Sequence, residues 1–167
     1  MIILQKRIAG LSSPTLQRFV LRAKRALGLP GTVNVLVTGN GQMRSLNRQF
    51  RGKDKATDVL SFPASPLMRD QTQAVGDIVI SAEIARQNAS RFGHPVANEV
   101  KILVLHGLLH MAGYDHERDN GQMARKEKRL RVLLNLEPGL IERTESKSGK
   151  IADGNRRRSP DARQRRS

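Results

Sequence analysis

The chain has 167 residues, with 30 Lys or Arg against 15 Asp or Glu and a net charge of +15. That length suits one domain with a real core, and the charge predicts attraction to polyanions such as nucleic acid, ribosomes or an anionic membrane surface. The absence of Cys excludes disulfides and thiolate sites, so any metal must use His or oxygen ligands. No apolar run is long enough for a transmembrane helix, and the start MIILQKRIAGL lacks a leader pattern, so no membrane association and a cytoplasmic location are expected.

The pattern then predicts the elements in order. Pro14 to Leu27 carries Leu16, Phe19, Val20, Ala23 and Leu27 at helical spacing before Gly28. Thr32 to Thr38 is β-branched between glycines and reads as a strand. Gln42 to Phe50 is a second helix with Met43, Leu46 and Phe50 on one face. Asp58 to Phe62 and Asp77 to Ile80 are short strands, with polar Met68–Ala74 between them as a loop. Ser81 caps a helix through Arg91, and Pro95 opens another that runs to Gly113. Asn120 to Leu134 is the last, with Met123, Leu130 and Leu134 inward. Without regular strand–helix alternation this is an α+β domain: a small mixed β-sheet packed by about five helices. The segment 144–167 holds eight basic and three acidic residues and one large aliphatic, Ile151. The expected organisation is a folded domain over 1–143, itself +10, followed by a disordered basic tail.

The chemistry concentrates in HGLLHMAGYDH, residues 106–116. His106 and His110, four apart on a helix, share a face with their Cβ atoms about 6 Å apart, so both rings can reach one ion. Gly113 can adopt a left-handed conformation and turn the chain so that His116 returns to the same ion. Three imidazoles with the fourth position open to water make the layout of a catalytic zinc site, one ion per chain. His94, in a Gly-His-Pro loop, is expected at the surface. The spacing matches that of metzincin proteases, except that Gly107 stands where those enzymes carry the Glu general base.

Together with LNRQFRGKDKATDVLSFP at 46–63 and GDIVIS at 76–81, the His-rich block resembles the YbeY family of bacterial rRNA maturation factors. The resemblance spans roughly 30–135 and leaves the basic tail outside it. It implies a single-strand-specific, metal-dependent endoribonuclease acting in 3′-end maturation of small-subunit (16S) rRNA and in ribosome quality control. Its partners would be single-stranded RNA, ribosomal RNA and the small ribosomal subunit, with ribosomal or assembly proteins besides. The zinc ligands carry over onto His106, His110 and His116, and the functional arginine onto Arg51.

Arg51 suits bidentate phosphate contact, with Lys53 and Lys55 as further cations; its structural alternative is an ion pair with Asp54 or Asp58. Asp115, Asp58, Asp77 and Glu99 are all open as supporting carboxylates, and none stands out as general base. The four Phe fall in core-like patterns, so base stacking is poorly supplied and binding is expected to rest on phosphates. Tyr114 is the one aromatic beside the His block. Two other functions fit part of the pattern: a zinc peptidase or other metallohydrolase, and a non-catalytic basic ribosome-assembly protein with a structural metal.

Overall fold

The computed structural model describes residues 1–65, 67, 73–115 and 118–136. Strand β1 (Ile2–Leu4) leads into helix α1 (Ser13–Leu27), and β2 (Thr32–Thr38) into α2 (Asn40–Arg51). Strands β3 (Val59–Pro63) and β4 (Ala74–Ser81) follow, then α3 (Ala82–Phe92), α4 (Val96–Met111) and α5 (Gln122–Leu134). The expected α+β class and mixed sheet are what the chain forms.

Local chemistry explains most boundaries. The Ser12 hydroxyl accepts from Thr15 N at 3.3 Å, and Gly28, at φ 65°, donates its N–H to the Arg25 carbonyl. Ser81 caps α3 in the same way, accepting from Ile84 N at 3.2 Å, and Gly93 closes it at φ 72°.

The sheet runs β1-β2-β4-β3, with β1, β2 and β4 mutually parallel and β3 antiparallel to β4. Register pairs Val35 with Ile78, and Phe62 with Asp77. Alternation along β2 sends Val33, Val35 and Val37 to one face, where they join Ile78, Ile80 and the buried sides of α1, α4 and α5 in the main core. On the opposite face α2 sets Met43 against Leu60 and Val79. This single helix covers only part of that face. Helix α4 is buried almost all round, from Ala97 to Met111, as a helix that is apolar on every side must be.

Three local expectations change. Strand β1 is an addition to the predicted elements: its three residues pair Ile2 with Val35 on the sheet edge, too short a run to show a period. Ala74 belongs to β4 rather than to the polar loop, because register against β2 extends that strand to Thr32; positions 68–72 lie outside the described residues. Phe50 does not share the burial of Met43: it is 58% exposed, because at the end of α2 its ring meets Phe62 beside a stretch of the sheet that the helix leaves uncovered. The basic segment 144–167 and the domain boundary at 143 lie outside the described residues.

Candidate active site

Helix α4 carries His106 and His110 on its last two turns. Their rings stand nearly perpendicular, at 82° with centroids 4.8 Å apart, and the two Nε2 atoms face each other at 3.2 Å. Each Nδ1 has an oxygen acceptor of its own. The His106 atom is 3.3 Å from Oε2 of Glu127, a carboxylate 1% exposed on α5. The His110 atom is 3.0 Å from the Tyr114 carbonyl, which is presented by the turn that Gly113 makes at φ 89°. A carbonyl or a carboxylate accepts a hydrogen bond but donates none, so a ring at either position that carries a single hydrogen carries it on Nδ1. Their Nε2 lone pairs then converge on one point. Two lone pairs facing at that distance call for a cation between them, and a carboxylate or carbonyl behind the ring is how metal-binding imidazoles are oriented. The residues therefore fit a divalent metal. Of the three His named from the spacing, the structure brings His106 and His110 together; His116 lies outside the described residues.

Gly107 explains its own identity. A Cβ built there would stand 2.8 Å from Ser61 Oγ and 3.0 Å from Ile78 Cδ1. Position 107 is pressed onto β3 and β4, so the protease general base has no room there.

Arg51 ends α2, beside a turn tied down by its neighbours. Gly52 takes φ 67° and donates to the Arg48 carbonyl. The buried Asn47 amide donates to the Lys55 carbonyl at 2.8 Å. Arg44 forks onto Asp54, Nε to Oδ1 at 2.8 Å and Nη2 to Oδ2 at 2.6 Å. The hydrogen-bonded guanidinium holds the Asp54 carboxyl below the usual carboxylate range, and Asp54 in turn raises Arg44. Asp58 accepts from its neighbours, Val59 N at 2.9 Å and Thr57 Oγ1 at 3.1 Å. Both acids open to Arg51 by sequence thus have other partners. The exposed Arg51 instead lines a cleft of about 420 Å³ with Ser61 and Pro63, facing His110, Tyr114 and Asp115. Lys53 and Lys55 are exposed on the same turn.

The remaining candidates separate. Asp115 lies in the cleft with Arg118 Nε 3.5 Å away, whereas Asp77 accepts from Asn34 Nδ2 at 2.8 Å on the opposite face of the sheet. The His94 ring, expected at the surface, is only 4% exposed, with Nε2 at 3.0 Å from Oε2 of the buried Glu99. The Gly93 turn folds it back over the start of α4. Sequence reasoning missed Glu127, which sits in the charged run Arg-Lys-Glu-Lys-Arg; the signal was its place four residues after Met123 and three before Leu130, on the inward stripe. It also missed Asn47.

Comparison with known proteins adds an independent line. The family model described as Endoribonuclease YbeY matches residues 4–135. An "Endoribonuclease YbeY" of Koribacter versatilis is 50% identical over 157 residues, which is 94% of this chain and 100% of the relative. That match is long enough to reach into the basic segment after Thr144, which the three motif blocks left outside. A relative of the same name in Helicobacter pylori is 40% identical over 135 residues, 80% of this chain and 94% of its own. The solution structure of TM1509 from Thermotoga maritima superposes with a TM-score of 0.55 at 28% identity, covering 93% of this chain and 100% of that one. On the reach of the family model and the identity of these relatives, the chain belongs to the endoribonuclease YbeY family.

Proposed function

We propose that this chain is a zinc-dependent endoribonuclease that cleaves single-stranded RNA, acting in the cytoplasm on the 3′ end of small-subunit rRNA and in ribosome quality control. The observation that carries the reading is the sharing of one cleft by Arg51 and His110, whose Nε2 faces that of His106. Cleavage of a phosphodiester accumulates negative charge on the phosphoryl oxygens, and both halves of the cleft supply its complement. The Arg51 guanidinium, free of Asp54 and Asp58, can fork onto two phosphoryl oxygens. His106, His110 and His116 would hold the metal, with Glu127 and the Tyr114 carbonyl setting the two described rings. A bound zinc supplies Lewis acidity toward the phosphate. The Asp54–Arg44 pair and the Asn47 amide keep the turn after Arg51 in one conformation, so the guanidinium is pre-positioned.

A peptidase is disfavoured by Gly107, whose place against Ser61 and Ile78 excludes that family's base. A purely structural metal is the other rival. Single-turnover cleavage of single-stranded RNA by protein freed of contaminating nuclease separates them. Cleavage that disappears on chelation and returns with zinc is expected; binding without cleavage would leave an assembly protein.

A further inference from the structure

This chain is 3% aromatic, and it leaves one of its four Phe 58% exposed. Phe50 does not stand alone. Its ring meets Phe62 edge-on, centroids 5.1 Å apart at 64°. The pair walls a hollow of about 430 Å³ on the part of the sheet that α2 leaves uncovered. Leu36, Leu46 and Val79 extend the apolar surface, and Asn34 and Asp77, hydrogen-bonded at 2.8 Å, bring polar groups to its margin. The hollow adjoins the cleavage cleft around the β3 edge. Phe50 and Arg51 are consecutive at the end of α2, one lining each depression, and Phe62 lies between Ser61 and Pro63, which line the cleft.

We propose that Phe50 and Phe62 form a stacking subsite for a nucleobase of the strand whose phosphate is held at Arg51. The inference rests on the endoribonuclease reading and deepens it, because it names where a base beside the scissile phosphate goes. Three features favour a nucleobase over an apolar protein segment. An exposed aromatic ring gives a stacking platform for an unpaired base, which every base can use, and Phe50 on α2 presents one, backed edge-on by the half-buried Phe62 on β3. The chain around Phe50 is cationic, with Arg48, Arg51, Lys53 and Lys55 all exposed within five residues of it, while Asp54 is paired with Arg44. Asn34 and Asp77 offer a donor and acceptors to base edges, which an aliphatic partner would leave unpaired. The subsite also gives the enzyme a means of preferring single strands, since a paired base cannot turn onto Phe50.

The test compares binding, by fluorescence anisotropy extrapolated to the time of mixing, of a labelled oligoadenylate and of its abasic counterpart with the same phosphates. The intact, zinc-loaded chain is expected to bind the base-bearing strand more tightly. Phe50→Ala should weaken oligoadenylate binding by about tenfold while leaving the abasic strand unchanged, and Phe50→Trp should restore it. Should Phe50→Ala melt lower than the parent, Phe50→Leu, which keeps apolar area without a π face, takes its place with the same expectation. An equal loss on both strands, no loss on either, or a loss confined to self-association would each overturn the subsite while leaving the cleavage reading intact. If the intact chain binds neither strand, both fall together.

Discussion

His106 and His110 differ from His94 in what stands behind the ring, and that difference sets what each substitution does. The first two have Nδ1 on an oxygen acceptor and Nε2 toward a shared point; His94 directs Nε2 at Glu99. Purified protein is expected to hold about one zinc per chain, a stoichiometry typical of such sites. That zinc should be lost in His106→Ala, His110→Ala and His116→Ala and kept in His94→Ala. The His94 variant should instead melt lower than the parent, since a side chain only 4% exposed is removed from its place against the buried Glu99. Metal analysis beside thermal melting checks both. Full zinc in any of the three, or its loss in the His94 variant, removes the assignment.

Arg51 has the opposite profile, a side chain whose loss should cost chemistry and spare stability. Its guanidinium is exposed and the nearby acids are already paired. Arg51→Ala is therefore expected to keep its zinc and melting temperature while cleavage falls on the order of a hundredfold, the scale of one lost transition-state donor. Arg51→Lys should recover part of the rate, because an ammonium keeps the charge without the planar fork. Rate constants normalised to folded, zinc-loaded protein decide it; an unaltered rate in Arg51→Ala would take this residue out of the site.

Among the elements, those with a local origin could be read from the sequence and those with a tertiary origin could not. Helices α1 and α3 were legible nearly to the residue because Gly28, Ser81 and Gly93 are caps that act within a few bonds. The inward stripe of α5 was legible from Met123, Leu130 and Leu134, yet Glu127 on that stripe was not, since only the arrival of His106 from α4 gives a buried carboxylate its reason. Phe50 misled for a related cause: helical spacing places it in line with Met43 but cannot say how much of the sheet face α2 covers. The metal pair was legible because i and i+4 on one helix are neighbours whatever the rest of the chain does. The Arg51 cleft needed the fold, which joins the end of α2 to the end of α4 across β3. Gly107 belongs to this scale too, as a point where α4 lies hard against the sheet. Gly107→Ala would gain about 1 kcal/mol of helix propensity, but overpacking against Ser61 and Ile78 costs about 1–3 kcal/mol. A net fall in melting temperature is expected, together with slower cleavage as His110 moves relative to Arg51. A more stable Gly107→Ala would mean that β3 yields easily at this point.

Across the whole molecule the charge is shared between the domain and the segment that follows it. We propose a boundary near 143, with the eight Lys and Arg of 144–167 adding phosphate contacts to those of the domain. Deleting 144–167 should leave zinc content and melting temperature unchanged, because one large aliphatic residue offers little to pack. RNA binding should weaken, and the slope of log affinity against log salt should flatten by about 0.7 for each single-strand phosphate that is no longer neutralised. A salt titration on the two forms measures this directly. An unchanged slope would make the segment inert in binding, and a large drop in melting temperature would place it within the folded unit.

The two halves of the cleft are anchored at very different depths. The imidazole pair sits on α4, which is buried almost throughout, while Arg51 sits beside an exposed turn held by Asn47 and one surface ion pair. Amides along residues 103–110 can exchange with solvent only when the whole domain opens, whereas those of 52–55 can exchange through local excursions. Mild urea should accordingly separate two properties that are lost together in a fully denatured chain. Cleavage is expected to fade first, as the turn loosens and the guanidinium loses its aim, while metal stays bound until the global transition. The protein would then pass through a form that still carries its zinc but has become a poor nuclease.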